Sequence, residues 1–205
     1  MLETLCILHY SLETTIGTVR WSVYNSDNVT GADNQQERLG CYIAGYVDGG
    51  GSFHVSIQKS SYVLVGYQLI PEFRVSQNAE RNSVLEIIRE TLGCGYIKQN
   101  HPGNNRDKTS VLVVRNRMDL SEKVIPFFET YEILSAKRDE FVKFAIIVKA
   151  MTQGVHLQRA GLIELLGVAF SMNGNGKYRR LSYSEIISDL ESSETIRRTR
   201  SWKRP

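Results

Sequence analysis

The chain has 205 residues, of which 41% are hydrophobic and 23% are charged, values typical of a globular protein with its own core. Lysine and arginine number 25 against 22 acidic residues, and a net charge of +3 points to no particular class of partner. Cys6, Cys41 and Cys94 fit neither a metal site nor a disulfide framework, and no apolar run is long enough to span a membrane. The sequence therefore predicts neither a membrane protein nor a disulfide-rich secreted one.

Three regions differ in character along the chain. Residues 1–38 predict a partly disordered N-terminal extension, because their periodicity is weak and they end in the polar stretch NSDNVTGADNQQER. The main domain is predicted over residues 39–190, and a basic tail over residues 191–205, whose last ten residues contain no acid. Such a tail either contacts phosphate or is a solvated end, and the sequence leaves both open.

The first half of the main domain alternates helix and strand patterns. LGCYIAGYVDG predicts a helix in which Gly45 and Gly49 lie on one face, where missing side chains let a second backbone approach closely. SFHVSIQKS and YQLIPEFRVSQ alternate apolar and polar residues and predict a β-hairpin. RNSVLEIIRETLG is an amphipathic helix that ends at Gly93, a glycine suited to a helix C-terminus.

A second hairpin and further helices complete the domain. Its strands are predicted in CGYIKQN and TSVLVVRN, and the helices in LSEKVIPFFETYEIL, AKRDEFVKFAIIVKAM, LIELLGVAFSM and SYSEIISDLESS. The order of elements is helix, two strands, helix, two strands and then helices. That order predicts an α+β fold with a four-stranded antiparallel sheet.

One face of this sheet is expected to pack on the helices, while the other carries hydroxyl, amide, imidazole and basic side chains. Amides and hydroxyls at every second position suit the reading of base edges in a DNA groove. A polar face turned toward water is the alternative for any antiparallel sheet, and the residues alone leave both open.

The segment IAGYVDGGGSF, residues 43–53, resembles the signature of the LAGLIDADG homing endonucleases. The resemblance continues through FRVSQNAERNSVLEIIRETLGCGYI, KVIPFFETYEIL, KRDEFVKFAIIV and MNGNGKYR, and covers roughly residues 39–190. It implies an αββαββα arrangement with a saddle-shaped four-stranded antiparallel sheet and C-terminal helices.

The resemblance also implies how the chain assembles. Members of the family pack two motif helices side by side over the centre of a DNA site, through small residues that correspond here to Ala44, Gly45 and Gly49. AGLIELLG, residues 160–167, resembles a second motif, but no strand pattern follows it, and we interpret it as a core helix. With one motif, the chain is expected to bind double-stranded DNA as a homodimer, on a pseudo-palindromic site.

The metal-binding acid of the family stands at the eighth motif position, where its carboxylate holds Mg²⁺. With Ile43 at the first position, the eighth is Gly50, which offers no side-chain ligand, so impaired cleavage is expected. Asp48 stands at the sixth position, and we favour a capping or local hydrogen-bonding role for it over catalysis. Asp48 or the Gly51 backbone is the nearest substitute ligand.

Other residues of the implied site are present. Gln77 and Arg81 match positions that support metal-bound water and the scissile phosphate, and Lys137 lies near the family's active-site lysine, although a surface role for Lys137 is equally open. The base-reading candidates are His54, Ser56, Gln58, Ser60, Gln68, Glu72, Arg74, Lys98 and Arg115. Phosphate contacts are expected from Arg106, Lys108, Lys177, Arg179 and Arg180, or these are solvated charges.

The leading hypothesis is an intron-encoded homing endonuclease that binds and cleaves a specific DNA site, with cleavage impaired by Gly50. A splicing maturase that binds intron RNA needs no metal-binding acid, and a non-cleaving DNA-binding repressor would use the same surface. Both alternatives stay open. The expected compartment is intracellular, either an organelle (chloroplast or mitochondrion) or the bacterial cytoplasm.

Overall fold

The computed structural model describes residues 31–63, 65–101, 103, 107–174 and 179–201, with side chains described between 34 and 192. Its first helix, α1, spans Gly31–Gly50 and carries the motif. The helix thus begins eight residues before the predicted domain boundary at residue 38. Residues 35–38 are Gln, Gln, Glu and Arg, which are good helix formers. They are exposed and include no apolar residue, so the apolar periodicity of the sequence did not reveal this first part of the helix. Residues 1–30 lie outside the described part of the chain.

Four strands form one antiparallel sheet in the order β1-β2-β4-β3, as the sequence predicts for strand number and direction. The strands are β1 (Gly51–Lys59), β2 (Tyr67–Asn78), β3 (Tyr96–Gln99) and β4 (Thr109–Val114). β1 follows α1 directly, so the end of the motif helix is held at the edge of the sheet. The helix α2, Ser83–Leu92, connects the hairpins and ends at Gly93, whose φ of 61° is left-handed, as expected for a C-terminal glycine.

β2 contains a proline, a residue that is rare inside sheets because it has no N–H to donate. Pro71 pairs with Val55 of β1, whereas pairing with β4 begins only at Phe73. At Pro71 the strand therefore has a neighbour on one side alone, and the missing N–H interrupts no ladder.

The predicted helix over LSEKVIPFFETYEIL is interrupted and shorter than expected. It consists of α3 (Arg117–Asp119), a π-helical turn (Leu120–Val124) and α4 (Ile125–Thr130). The Asn116 side chain accepts from the Met118 and Asp119 amides and begins this segment. Pro126 cannot donate to a carbonyl one turn earlier, which fits the irregular turn before it.

Three long helices complete the fold: α5 (Lys137–Thr152), α6 (Arg159–Phe170) and α7 (Tyr183–Ser201). The segment that resembles a second motif lies in α6, where Leu162, Leu165 and Leu166 are buried, which agrees with its interpretation as a core helix. α7 continues through Ser201, so most of the predicted basic tail belongs to this helix. Its weak amphipathic pattern beyond residue 190 explains why the sequence placed the boundary early.

The core lies between the helices and one face of the sheet, and aromatic rings form its centre. Phe53 of β1 packs against Phe73 and Phe141, with ring centroids 5.3 and 5.2 Å apart, and contacts Phe128 and Phe144 at similar distances. All five rings are buried. Because Phe53 lies three residues after Gly50, this cluster fixes the place where the motif helix meets the sheet.

The outer edge of β1 is covered by side chains rather than by a fifth strand. The Phe53 carbonyl accepts from Asn173 Nδ2 at 3.2 Å, and the Val55 carbonyl accepts from Arg179 Nη1 at 2.7 Å. Asp189 of α7 accepts hydrogen bonds from Lys59 and from the Tyr67 hydroxyl, both at 2.6 Å. The C-terminal segment is thereby joined to both strands of the first hairpin.

Within the described ranges, every helix is too short or too polar to cross a membrane.

Candidate DNA interface and cleavage centre

The sheet face opposite the helices carries most of the predicted base-reading residues. Paired residues of antiparallel strands project to the same face, and His54 pairs with Glu72, and Gln58 with Gln68. Arg74 pairs with Val113. Lys98 of β3 pairs with Val111 and therefore joins this face from the second hairpin. Ser56 alternates onto it as predicted.

Two predicted residues lie just beyond the strands. Ser60 follows β1 and its amide donates to the Gly66 carbonyl at 2.9 Å, so it belongs to the hairpin loop. Arg115 follows β4, and its guanidinium bonds Glu72, which places it on the polar face. The sequence had left the facing of Arg115 undecided, since it depends on the strand register.

His54 is half-buried, and its Nε2 lies 3.0 Å from the Ser56 hydroxyl. Burial and the nearby Arg179 and Arg74 charges lower its pKa. The imidazole is therefore neutral at pH 7, which suits a hydrogen bond with a base better than an ion pair with phosphate.

Glu72 is not available as an open base reader, contrary to the expectation for it. Its residue is 3% exposed, and its two carboxylate oxygens accept from Nε of Arg74 and Nε of Arg115. The alternation of β2 predicted the face on which Glu72 lies. It could not predict the ion pair with Arg115, because that pair forms only when β4 folds beside β2.

Val111 and Val113 are an unexpected feature of the polar face. Both are buried, yet they alternate with the core residues Leu112 and Val114 and lie outside the main core cluster. Val113 pairs with Arg74 on β2 and Tyr96 on β3, and Val111 pairs with Lys98 on β3, so long side chains flank both valines. The continuous apolar run VLVV hid this alternation, because it reads equally well as a strand buried on both faces.

The predicted phosphate contacts have different outcomes. Arg179 is half-buried and donates to the carbonyls of Val55 and Ala169, so it is a structural residue rather than a surface contact. Burial lowers its pKa. Lys108 and Arg180 are exposed. Arg106 and Lys177 lie outside the described residues.

The C-terminal end of α1 is tied to the loop between α4 and α5. The Asp48 carboxylate accepts from the Leu134 amide at 3.3 Å, from the Ser135 amide at 3.0 Å and from the Ser135 hydroxyl. Burial raises the pKa of Asp48, but these hydrogen bonds outweigh it and hold the pKa below its usual value. The geometry supports the local hydrogen-bonding role favoured for Asp48.

Lys137 caps the same helix end. Its Nζ donates to the carbonyls of Val47 and Asp48, at 2.9 and 2.7 Å, where the helix dipole is negative. Burial lowers its pKa, and the Asp48 charge opposes that change. Lys137 thus lies at the end of the motif helix, as the resemblance implies, with its ammonium group occupied by backbone oxygens.

Gly50 and Gly51 differ in their surroundings. A Cβ added at Gly50 would meet only the Ser76 carbonyl oxygen, at 3.9 Å, which is an ordinary contact distance, and the residue is exposed. A Cβ added at Gly51 would lie 2.5 Å from Val47 Cγ1 and 2.8 Å from the Val47 carbonyl oxygen. Glycine is therefore sterically required at position 51 and not at position 50.

Gln77 lies beside the motif helix and donates through Nε2 to the Tyr46 hydroxyl, while its Oε1 accepts from the Asn78 amide at 2.7 Å. Arg81 is exposed and close enough for its charge to act on Tyr46. Burial raises the pKa of Tyr46 nonetheless. Tyr46 was missed by sequence reasoning, although its place in the motif, one turn before Gly50, was a signal for it.

The outer face of α1 is formed by small and aromatic residues. Gly45 and Gly49 are exposed, and a Cβ added to either would meet nothing within 4 Å. Cys41 and Tyr42 are exposed on the turn before them. Ala44 is 3% exposed and packs toward the core of its own chain, so its assignment to the interface is wrong: the helical period turns it away from the two glycines.

Comparison with known proteins gives the family. The model of the LAGLIDADG endonuclease family matches residues 43–148, which include the C-terminal part of α1, the whole sheet and most of α5. The chain belongs to the LAGLIDADG endonuclease family.

Individual relatives agree with this assignment. The chain is 30% identical over 148 residues to a protein of Neurospora crassa named probable intron-encoded endonuclease 2, covering 71% of this chain and 32% of that protein. The structure of the archaeal intron-encoded homing endonuclease I-Vdi141I complexed with DNA superposes with a TM-score of 0.69 at 30% identity, covering 80% of this chain and 98% of that one. I-SmaMI bound to uncleaved DNA in the presence of calcium ions gives a TM-score of 0.60 at 32% identity, covering 64% and 44%. The chain thus spans about a third of the Neurospora relative and nearly all of the archaeal one.

Endonucleases of this family act with a divalent metal, and the residues of this chain do not fit one at the expected place. Position 50 has no side-chain oxygen, and the Asp48 carboxylate is held by the α4–α5 loop. Gly51 is part of β1, paired with Val75. Among the described residues, no three His, Cys, Asp or Glu side chains come together as a metal site.

Proposed function

We propose that this chain binds a specific double-stranded DNA site through the polar face of its sheet and does not cleave it efficiently. The observation that carries the proposal is the register of that face: polar side chains of β1, β2 and β3, with Arg115 just after β4, lie together on the side opposite the core. A two-stranded ribbon or larger sheet surface of this kind fits the major groove, where donors and acceptors distinguish the base pairs.

Impaired cleavage follows from the motif helix. Gly50 supplies no carboxylate at the position where the family binds metal, and Asp48 is engaged by Ser135. Gln77, Tyr46 and Arg81 remain grouped beside that position, so the neighbouring polar groups of the cleavage centre are retained. Mg²⁺ is the metal we expect a restored site to bind, because it prefers oxygen ligands.

A homodimer on a pseudo-palindromic site is part of the proposal. Gly45 and Gly49 have no packing role within their own chain, since added Cβ atoms would meet nothing. Small residues of this kind let two helices approach closely, and Tyr42 extends the surface on the same side. The cellular compartment, an organelle or a bacterial cytoplasm, stays a prediction.

Restoring the acid tests the proposal. The full chain would select its preferred duplexes from a pool with a randomised central segment, and those duplexes would then be incubated with Mg²⁺. We expect the wild type to bind without cutting and Gly50→Glu to cut, because the exposed position accepts a Cβ without a clash and a metal-bound carboxylate activates water for phosphodiester cleavage. Gly50→Gln, of the same size but uncharged, should bind without cutting.

The outcomes separate binding from chemistry. Cleavage by the wild type at the rate of Gly50→Glu would contradict the assignment of position 50. Binding by both without cleavage by either would mean that further groups of the centre are lost. If no duplex is retained from the pool, the DNA-binding function itself is wrong.

A maturase function is the second candidate, and the observation that favours it is again Gly50, because RNA binding needs no metal-binding acid. Competition between the selected duplex and a group I intron RNA tests it. If the intron RNA displaces the duplex at an RNA concentration below that of the duplex, the maturase function is favoured. If the duplex binds more tightly than the RNA, a DNA-binding function is favoured, either as an endonuclease or as a repressor.

A further inference from the structure

Resting on the proposed DNA-binding function, we infer that Glu72 is a positioning residue that aims Arg74 and Arg115 at two guanines in each half-site. Glu72 itself contacts no base. We call these three side chains the arginine clamp. In it the two arginines contact the bases and Glu72 orients them, whereas the sequence had predicted that all three contact bases independently.

The clamp is built at the centre of the polar face. Glu72 is buried, while the Arg74 and Arg115 side chains are 39% and 49% exposed. Each carboxylate oxygen accepts from one guanidinium, Oε1 from Arg74 and Oε2 from Arg115. Two positive charges therefore share one buried negative charge, and the clamp keeps a net positive charge.

The bonding atoms decide what the arginines can do. Both use Nε toward Glu72, and within the described residues neither terminal Nη group has a hydrogen-bond partner. The two Nη groups of a guanidinium form a fork that matches O6 and N7 of guanine. With Nε held by the carboxylate, each fork is presented in one orientation, so less conformational freedom is lost on binding.

The position favours bases over phosphates. Arg74 stands on the inner strand β2, between Ser52 of β1 and Val113 of β4, and not at the rim of the sheet. The buried Val113 lies directly opposite Arg74 on β4, and the buried Val111 lies one row further along, so the clamp adjoins an apolar surface. Base edges occupy the floor of a groove and phosphates its walls, and a central tethered arginine faces the floor.

Sequencing of duplexes selected from the randomised pool tests the clamp, with the full chain as the protein. We expect the wild type to select guanine at two positions of each half-site. Arg74→Lys and Arg115→Lys keep the charge but lack the fork, so each should reduce the preference at its own position about ten- to a hundred-fold. Phosphate contacts would instead survive these changes with the base preferences unaltered.

Glu72→Gln distinguishes positioning from a merely structural role. It should reduce the preference at both guanine positions together by about tenfold, while the other positions and the affinity for unselected DNA are kept. Arg89→Lys, on the exposed surface of α2 beside Glu86, is the matched control and should change nothing.

Three results would overturn the inference. The first is a loss of base preference at all positions of the site in Glu72→Gln, together with a fall in thermal stability. The second is a guanine preference that Arg74→Lys and Arg115→Lys leave intact. The third is a selected site that has no guanine at the positions affected by these lysine variants. If the pool yields no binding duplex at all, the proposed function fails and the clamp fails with it. A selected site with the wrong bases overturns the clamp alone.

Discussion

Three consecutive glycines at residues 49–51 have three different surroundings. Gly49 faces outward from α1, Gly50 borders open space near Ser76, and Gly51 is pressed against Val47. One short stretch of sequence thus combines an outward-facing position, a position with space for a Cβ and a position where glycine is sterically required. The motif pattern predicts roles for Gly49 and Gly50, whereas the steric requirement at Gly51 depends on how β1 leaves the helix.

Alanine substitutions separate these roles. Gly51→Ala should lower the free energy of unfolding by about 1–3 kcal/mol, because its Cβ would overlap the Val47 side chain and carbonyl. Gly50→Ala, the matched control, should stay within about 0.5 kcal/mol of the wild type. Urea unfolding at one protein concentration measures both. Equal stabilities for the two variants would contradict the contact described for Gly51.

Residue patterns predicted the alternation of β1 and β2, the glycine that ends α2 and the polar face, because each is a local signal. They left the facing of Arg115 undecided and did not reveal the partners of Glu72 and Arg179. A carboxylate, a strand end and a loop arginine acquire such partners only when β4 and α6 fold beside them. Tyr46 was missed for the same reason: its partner Gln77 is 31 residues away.

At the scale of elements, the motif helix is held at its end by a distant loop. Asp48 and Lys137 form reciprocal contacts, one through a carboxylate bonded to Ser135 and the other through an ammonium bonded to the backbone of α1. These contacts connect α1 to the start of α5 and fix the helix end beside β2. The position of residue 50 relative to any DNA therefore depends on this connection.

The connection should depend on pH. The pKa of Asp48 in the folded state is lower than the ordinary value of 3.8, so its stabilising contribution is present above that value and is lost as pH falls through the folded pKa. Asp48→Asn should be about 1 kcal/mol less stable than the wild type at pH 7. The difference should shrink below about pH 4.

Chemical unfolding between pH 7 and pH 3 checks this expectation. Glu164→Gln, on the exposed surface of α6, serves as the control and should show no such pattern. A difference between wild type and Asp48→Asn that stays constant over this range would show that the hydrogen bonds, and not the charge, carry the effect.

At the scale of the whole molecule, the proposed homodimer places the outer face of α1 between the two copies. Gly45→Leu should leave the stability of the single chain intact, because Gly45 is exposed and nothing lies within 4 Å of an added Cβ, but weaken self-association about tenfold or more. Gly40→Ala is the opposite case: its Cβ would lie 2.3 Å from the Tyr131 ring, so it should lower stability instead.

Sedimentation equilibrium and thermal unfolding, measured on the same samples, distinguish the two effects. A Gly45→Leu protein that associates like the wild type would place the contact between copies elsewhere on the surface. The family and the strand number could be predicted from the sequence, but the strand order could not, because local patterns say nothing about which strands become neighbours.

The cover over the edge of β1 has a consequence for the protein's tendency to aggregate. An edge strand with open carbonyl groups is a template to which another chain can add a strand. Asn173 and Arg179 occupy the carbonyls of Phe53 and Val55, and the contacts of Asp189 keep α7 beside the same hairpin. A chain cut after Phe170 would uncover that edge, and we expect such fragments to precipitate by joining edge to edge even where their secondary structure survives.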